Sequence, residues 1–308
     1  MRIYYSYDEV PQAPRVVVLG HFDGLHLGHQ ALIEEGRTLA DRLNLPLMVA
    51  TFYPQFQSLV TPEFKYIMDQ DSKMRHLEEM HVDEVFSVPF SWSIAEMTPE
   101  DFVQSLLLTA LHAQGIVVGF DYTFGHRAGG KAEDLMALAA PVPVKIVPAY
   151  TLNDVILSST MIRQALREGR IADAERFLGY SYELCGEVIH GLANGRRFLV
   201  PTANVSLPKD LLLPAPGVYA GRCVLESEKT RTYDAVINIG TRPTVDDNPF
   251  EMVEAHLLNF DRDIYGEMLC VRDLYLMRGI VKFDSFEALK EAIMKDIEAA
   301  KEYFHQKA

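Results

Sequence analysis

The sequence predicts an α/β domain built on a parallel sheet, followed by a small antiparallel β-barrel and a C-terminal helix. Three observations carry this expectation. Strand-like apolar runs alternate with helical segments through the first 150 or so residues, then short strands follow one another without intervening helices from about Glu183, and the final stretch repeats apolar residues every three or four positions. A chain of 308 residues also exceeds what one hydrophobic core organises, so two domains are expected, with a short linker near Tyr180–Glu183.

In order along the chain, Val16 to Leu19 is a β-branched run ending at Gly20, and Gln30 to Leu43 places Leu32, Leu39 and Leu43 among charges, giving strand, loop and helix. Further strands are expected at Leu45 to Phe52, Glu84 to Val88, Gly115 to Gly119 and Val144 to Val147. They alternate with helices around Lys73 to Met80, Glu100 to His112 and Ala132 to Leu138. Two more helices are expected at Thr160 to Arg167 and Ala172 to Leu178. The second domain reads as strands at Gly186 to Ile189, Gly217 to Leu225, Arg231 to Asn238, Met252 to Asn259 and Met268 to Leu276. Phe286, Leu289, Ile293, Ile297, Ala300 and Phe304 then mark an amphipathic helix capped near Asp284 or Ser285 and packed across the barrel.

Composition removes several function classes. With 29 Lys and Arg against 43 Asp and Glu, the net charge is -14, and the basic surface that drives general nucleic-acid binding is absent. No apolar run approaches the roughly 20 residues that span a bilayer, and the N-terminus MRIYYSYDEV lacks the features of a secretory signal, so a cytoplasmic protein without membrane partners is expected. Cys185, Cys223 and Cys270 are odd in number, widely spaced and free of any CxxC pair. They are expected to be buried apolar residues or idle thiols, with neither a disulfide nor a zinc site.

The first chemistry-bearing segment is Gly20-His21-Phe22-Asp23-Gly24-Leu25-His26-Leu27-Gly28-His29, between a strand and a helix. Unpaired amides and the helix dipole favour phosphate there, and ligands of parallel sheets collect beyond the carboxyl ends of strands. His26 and His29, three apart, project to one side and suit phosphate oxygens; the same pair also suits a metal or a capping network. Leu157-Ser158-Ser159-Thr160-Met161-Ile162-Arg163 places small hydroxyl residues at a helix start and an arginine one turn in. Taken alone this is an N-cap with a solvated charge. Gly119-Phe120-Asp121-Tyr122-Thr123-Phe124-Gly125, with Arg127, Gly129 and Gly130, reads alone as a glycine-rich turn with core aromatics.

Together and in this order, the three segments resemble the GxFDGxHxGH, GxDFxFG and ISSTxIR motifs of the HxGH nucleotidyltransferases, and most closely the bacterial bifunctional riboflavin kinase/FAD synthetase family. The resemblance implies a Rossmann-like nucleotidyltransferase domain over residues 1–182 and a riboflavin-kinase barrel over 183–308. It implies adenylyl transfer from ATP to FMN, with His26, His29 and Arg163 acting on the phosphates. Gly20, Phe22, Asp23, Gly24, Gly28, Asp121, Phe124, Gly125, Ser158, Ser159 and Thr160 would form the nucleotide and flavin site. Gln55 and Phe56 depart from the family's TFxPHP.

The second half extends the resemblance. Pro201-Thr202-Ala203-Asn204 is similar to the kinase's PTAN motif, Asn238-Ile239-Gly240-Thr241-Arg242-Pro243-Thr244 to NIGxRPT, and Val253-Glu254-Ala255-His256-Leu257 to the segment that supplies the kinase base. By strand periodicity Thr202 and Asn204 share a face, and the resemblance implies that they hold Mg2+. It assigns Glu254 the proton of the riboflavin 5′-hydroxyl, a residue that alone reads as a surface carboxylate. Gly191, Arg196, Asn238 and Arg278 complete the implied ligand set. Leu199 stands where the family has glycine, and Ile280 where it has an acid. The expected substrates are ATP, FMN and riboflavin, and the expected state is a monomer or weak homo-oligomer. Two alternatives stay open: an adenylyltransferase with an impaired kinase module, and a non-catalytic flavin-binding regulatory protein.

Overall fold

Five short, strongly apolar strands and one polar edge strand make the sheet of the N-terminal half: β1 (Arg2–Tyr4), β2 (Arg15–Leu19), β3 (Leu47–Phe52), β4 (Glu84–Val88), β5 (Ala113–Gly119) and β6 (Val144–Val147). Their order is β1-β4-β3-β2-β5-β6, and every pairing is parallel. Val16 to Val18, Leu47 to Val49 and Ile116 to Val118 are buried, as expected of central strands covered on both faces. The covering helices are α1 (Leu27–Leu43), α2 (Gln70–Glu79), α3 (Phe102–Ala110) and α4 (Ala132–Leu138), of which α3 is wound as a π-helix. This computed structural model describes residues 1–54, 61, 63–190, 200–242 and 250–307.

The chain divides into two compact units, Met1–Ser159 and Thr160–Ala308. The first unit contains a strand that the sequence pattern did not announce. β1 is three residues long and pairs with β4, some 80 positions later in the chain. Its placement is fixed by a buried polar cluster: Arg15 donates from Nε to Glu84 Oε2 at 2.7 Å and from Nη1 to the Leu111 carbonyl at 2.8 Å, while Tyr4 Oη donates to Glu84 Oε1 at 3.1 Å. Pairing of this kind offsets the cost of burying charge.

The second unit holds α5 (Ser159–Arg167, its first residue in the first unit), α6 (Ile171–Leu178) and a closed barrel. The barrel strands are β7 (Leu184–Ile189), β8 (Ala203–Ser206), β9 (Gly217–Leu225), β10 (Tyr233–Arg242), β11 (Phe250–Leu257) and β12 (Met268–Gly279). They close in the order β7-β8-β11-β10-β9-β12, all antiparallel. The final helix α7 (Phe286–Lys307) begins where Ser285 Oγ accepts from the Ala288 amide, and lays Ile297, Ala300 and Phe304 on Ala220 and Leu258 of the barrel.

One expectation is overturned. Cys185 and Cys270 are not idle thiols but a disulfide joining β7 to β12. Register makes the bond accessible, since the two residues are direct partners across antiparallel strands, a relation that spacing along the chain does not reveal. Cys223 is buried and free, and burial pushes its thiol up to about 12, so it is inert.

Candidate active sites

The loop between β2 and α1 lies at the carboxyl edge of the parallel sheet and has an unusual backbone. Phe22 and Leu25 have φ of 52° and 36°, and both side chains are completely buried, so the strained conformation is held by the core beneath it. Gly24, at φ 79°, lies against Ile67 and meets the same demand at lower cost. The loop is tied down at three more points. Asp23 accepts from the Ile67 amide at 2.9 Å, the His21 carbonyl accepts from Thr51 Oγ1 at 3.1 Å, and the Asp23 carbonyl accepts from Ser159 Oγ at 3.0 Å. The last bond joins two of the segments singled out in the sequence, 136 residues apart.

His26 caps α1: its Nδ1 accepts from the His29 amide at 3.3 Å. The two imidazoles stack, with ring centroids 3.6 Å apart. A Cβ on Gly28 would come within 3.1 Å of the His26 ring, so this position serves the stacking. With Nδ1 accepting, neutral His26 carries its proton on Nε2. His29 Nδ1 is shielded and has no hydrogen-bond partner among the described residues. Burial, then the charges of His26, Lys73 and His21, hold the His29 imidazole well below its ordinary pKa, so it is neutral at pH 7. The pair stands at the start of a helix, where the dipole favours an anion, and its His29 ring is a neutral imidazole there.

Sequence reasoning missed Lys73 here. It projects from the first turn of α2, is 1% exposed, and donates from Nζ to the His21 carbonyl at 3.2 Å. Burial pulls its ammonium down to about 8, with Asp23 opposing that fall. The available signal was Lys73 standing four residues before the buried Leu77, on the core-facing stripe of the helix.

The remaining nominated residues of this unit are placed as follows. Gly20 adjoins the Phe22 ring. Ser158 precedes α5. Asp121 is exposed just beyond β5, the neighbour of β2, so its loop leaves the same sheet edge. Phe124 is buried in the core against Phe102, with centroids 5.3 Å apart, and Gly125 packs on Pro99. Thr160 and Arg163 fall in the second unit. Gln55 and Phe56 lie outside the described residues.

In the barrel, register assembles a second site. Asn204 pairs with Glu254, Glu254 with Asn238, Asn238 with Val218, and Val218 with Arg278. Directly paired residues share a face, so the four polar groups form one row across five strands. The alternate residues Ala203, Ile237, Val253 and Ala255 are buried inside the barrel, which leaves the polar row on its outer wall. Between this wall and α7 lies a cavity of about 420 Å³, within the range of small-molecule sites, lined by Thr202, Asn238, Glu254 and Arg278 with Ile293 and Ile297 of the helix. His256 Nδ1 donates to the Pro201 carbonyl at 2.8 Å and holds the segment carrying Thr202 against β11.

Arg278 is engaged bidentately by Asp296 of α7, Nε to Oδ1 at 2.9 Å and Nη2 to Oδ2 at 2.7 Å. Asp296 was also missed. It interrupts the apolar stripe between Ile293 and Ile297, a buried acid on a core-facing helix surface. Ile280 lines the same cavity and is 54% exposed. Gly191, Arg196 and Leu199 lie outside the described residues.

The fold and these two sites define a nucleotidyltransferase-type α/β domain joined to a six-stranded barrel of the riboflavin-kinase kind. Profile comparison agrees: residues 9–161 match FAD synthetase and residues 178–304 match riboflavin kinase. The chain is 35% identical over 301 residues to a bifunctional riboflavin kinase/FMN adenylyltransferase of Listeria monocytogenes, covering 96% of this chain and 95% of that one. It is equally 35% identical over 314 residues to the Escherichia coli protein of the same name, covering 99% and 97%. This chain belongs to the bifunctional riboflavin kinase/FMN adenylyltransferase family. A solved Streptococcus pneumoniae structure, whose title calls it a macrolide-efflux protein, superposes with a TM-score of 0.85 at 33% identity over 97% of this chain and 98% of that one. Among the described residues here, no helix is long and apolar enough to cross a membrane.

Proposed function

We infer that this enzyme makes FAD in two steps: the barrel phosphorylates riboflavin to FMN, and the N-terminal domain transfers an adenylyl group from ATP to FMN, releasing pyrophosphate. The observation that carries the reading is the stacked His26–His29 pair at the start of α1, in a strained loop bonded to Ser159. In adenylyl transfer a phosphate oxygen of FMN attacks the α-phosphorus and the bond to the β-phosphate oxygen breaks. The two imidazole N–H groups and the helix amides receive the growing charge on the phosphates, and catalysis is positioning and electrostatics. Arg163 adds a cation to the phosphates, and Ser158, Ser159 and Thr160 supply hydroxyl donors. Residues 1–182 and 183–308 are the two functional modules.

In the barrel, Glu254 accepts the proton of the riboflavin 5′-hydroxyl as that oxygen attacks the γ-phosphorus of ATP, the bond from the γ-phosphorus to the bridging oxygen breaks, and ADP leaves. Asn238 and Arg278 share the wall on which Glu254 stands. The hydroxyl of Thr202 and the amide oxygen of Asn204, next to the Glu254 carboxylate, are an all-oxygen donor set suited to a hard cation. They would hold Mg2+, which neutralises phosphate charge when bound. The enzyme works as a cytoplasmic monomer or weak homo-oligomer. The test is to incubate the full chain with ATP and Mg2+, plus either riboflavin or FMN, and to resolve the flavins by chromatography. FAD from FMN and FMN from riboflavin are expected, and the absence of either product removes the corresponding activity.

A further inference from the structure

Lys73 is a cation at a buried position. Its described hydrogen bond goes to a neutral carbonyl, that of His21, which already accepts from Thr51 Oγ1. It occupies the first turn of α2, where the helix dipole opposes a cation, and lysine is among the residues least often buried. The groups it is bonded or electrostatically coupled to belong to the segment from His21 to His29. Asp23 acts on its charge, and its own charge acts on His21 and His29.

We propose that Lys73 is a positioning residue of the adenylyl-transfer site: its ammonium, on the underside of the loop at the His21 carbonyl, fixes the loop backbone and adds a buried positive charge to the field that receives ATP's phosphates. The inference rests on the adenylyltransferase reading above. The geometry gives the charge two effects. It pins the residue before Phe22, whose left-handed backbone sets the direction of the loop. It also opposes protonation of His29, so the imidazole stays a neutral donor until the negative charge of the triphosphate arrives. The titratable groups coupled to Lys73 are Asp23, which favours its charged form, and His21 and His29, whose protonation its charge opposes; Thr51 of β3 contributes a neutral donor to the shared carbonyl.

The experiment compares the full-length wild type with Lys73→Arg and Lys73→Met, measuring kcat and KM for ATP in FAD formation from FMN between about pH 6.5 and pH 9.5. Riboflavin phosphorylation by each protein serves as the reference. Lys73→Met is expected to lose about a hundredfold in kcat/KM for ATP, the scale of a lost electrostatic donor, with riboflavin phosphorylation unchanged. Wild-type kcat/KM for ATP is expected to fall as pH rises through about 8, and Lys73→Arg to keep most of the activity while that fall moves to higher pH. A Lys73→Met enzyme within threefold of wild type, or a Lys73→Arg profile superposing on the wild-type one, overturns the proposal. If Lys73→Met does not fold, the wild-type and Lys73→Arg profiles decide alone. Wild-type protein that makes no FAD sinks the functional reading instead, whereas wild-type FAD synthesis without an alkaline fall sinks only the role of Lys73.

Discussion

Replacing Lys73 by methionine is expected to stabilise the N-terminal unit at neutral pH, although the same change cripples its reaction. The ammonium titrates at about 8 in the folded chain against 10.5 when unfolded. At about 1.4 kcal/mol per tenfold, that difference is about 3 kcal/mol of folding free energy lost to burying the charge. The sign follows from proton linkage. Below about pH 8 the lysine is protonated in both states and the cost is present in full. Between 8 and 10.5 the unfolded chain binds the proton more tightly, so wild-type stability rises with pH. Methionine has nearly the same length and no charge, and Thr51 still satisfies the His21 carbonyl. Subtracting about 1 kcal/mol for the lost hydrogen bond leaves a net gain of about 2 kcal/mol. With a urea dependence of about 2 kcal/mol per molar, the midpoint should rise by about 1 M. Pulse proteolysis across a urea series reads this from N-terminal fragments, at about pH 7 and again at about pH 10. A variant less stable than wild type at pH 7, or an advantage that does not shrink at pH 10, would refute the reasoning.

Other expectations are simpler to score. His29→Ala should slow FAD formation by about tenfold to a thousandfold while sparing riboflavin phosphorylation; an undiminished rate removes His29 from the site. Because burial keeps His29 neutral to well below its ordinary pKa, ATP binding near pH 6 should take up protons, seen by calorimetry in buffers of different ionisation enthalpy. His29→Ala should abolish that uptake. Glu254→Gln should stop FMN formation from riboflavin and leave FAD formation from added FMN intact, whereas equal loss of both would contradict independent sites. Glu84→Gln leaves the buried Arg15 without its counter-charge and should cost the N-terminal unit about 3–5 kcal/mol, read as a lower unfolding midpoint.

Much of the architecture was legible because it depends on local pattern. The run Val16–Leu19, the glycines after it and the periodic stretch Gln30 to Leu43 lie close together, so strand, loop and helix follow from neighbouring residues, the helix beginning three residues earlier than its pattern. The strands at Glu84–Val88, Val144–Val147 and Gly217–Leu225, and the helix at Ala132–Leu138, coincide with the apolar runs that announced them. β1 escaped because three residues are too few to show a period. The disulfide escaped because an antiparallel register, not spacing along the chain, brings Cys185 to Cys270.

The sequence by itself pointed to the class of chemistry through the resemblance of its motif segments, taken together and in order, to a known family, since each segment alone has an ordinary structural reading. Only the tertiary structure decided what surrounds those segments. Long-range packing delivers Thr51 and Lys73 to one carbonyl of the first loop, Ser159 to another, and Asp296 to Arg278. Cross-strand register aligns Asn204, Glu254, Asn238 and Arg278 on the barrel's outer wall. The physical reason is that a side chain's charge state and direction depend on burial and on partners tens of residues away, and neither quantity is written in the residues adjacent to it.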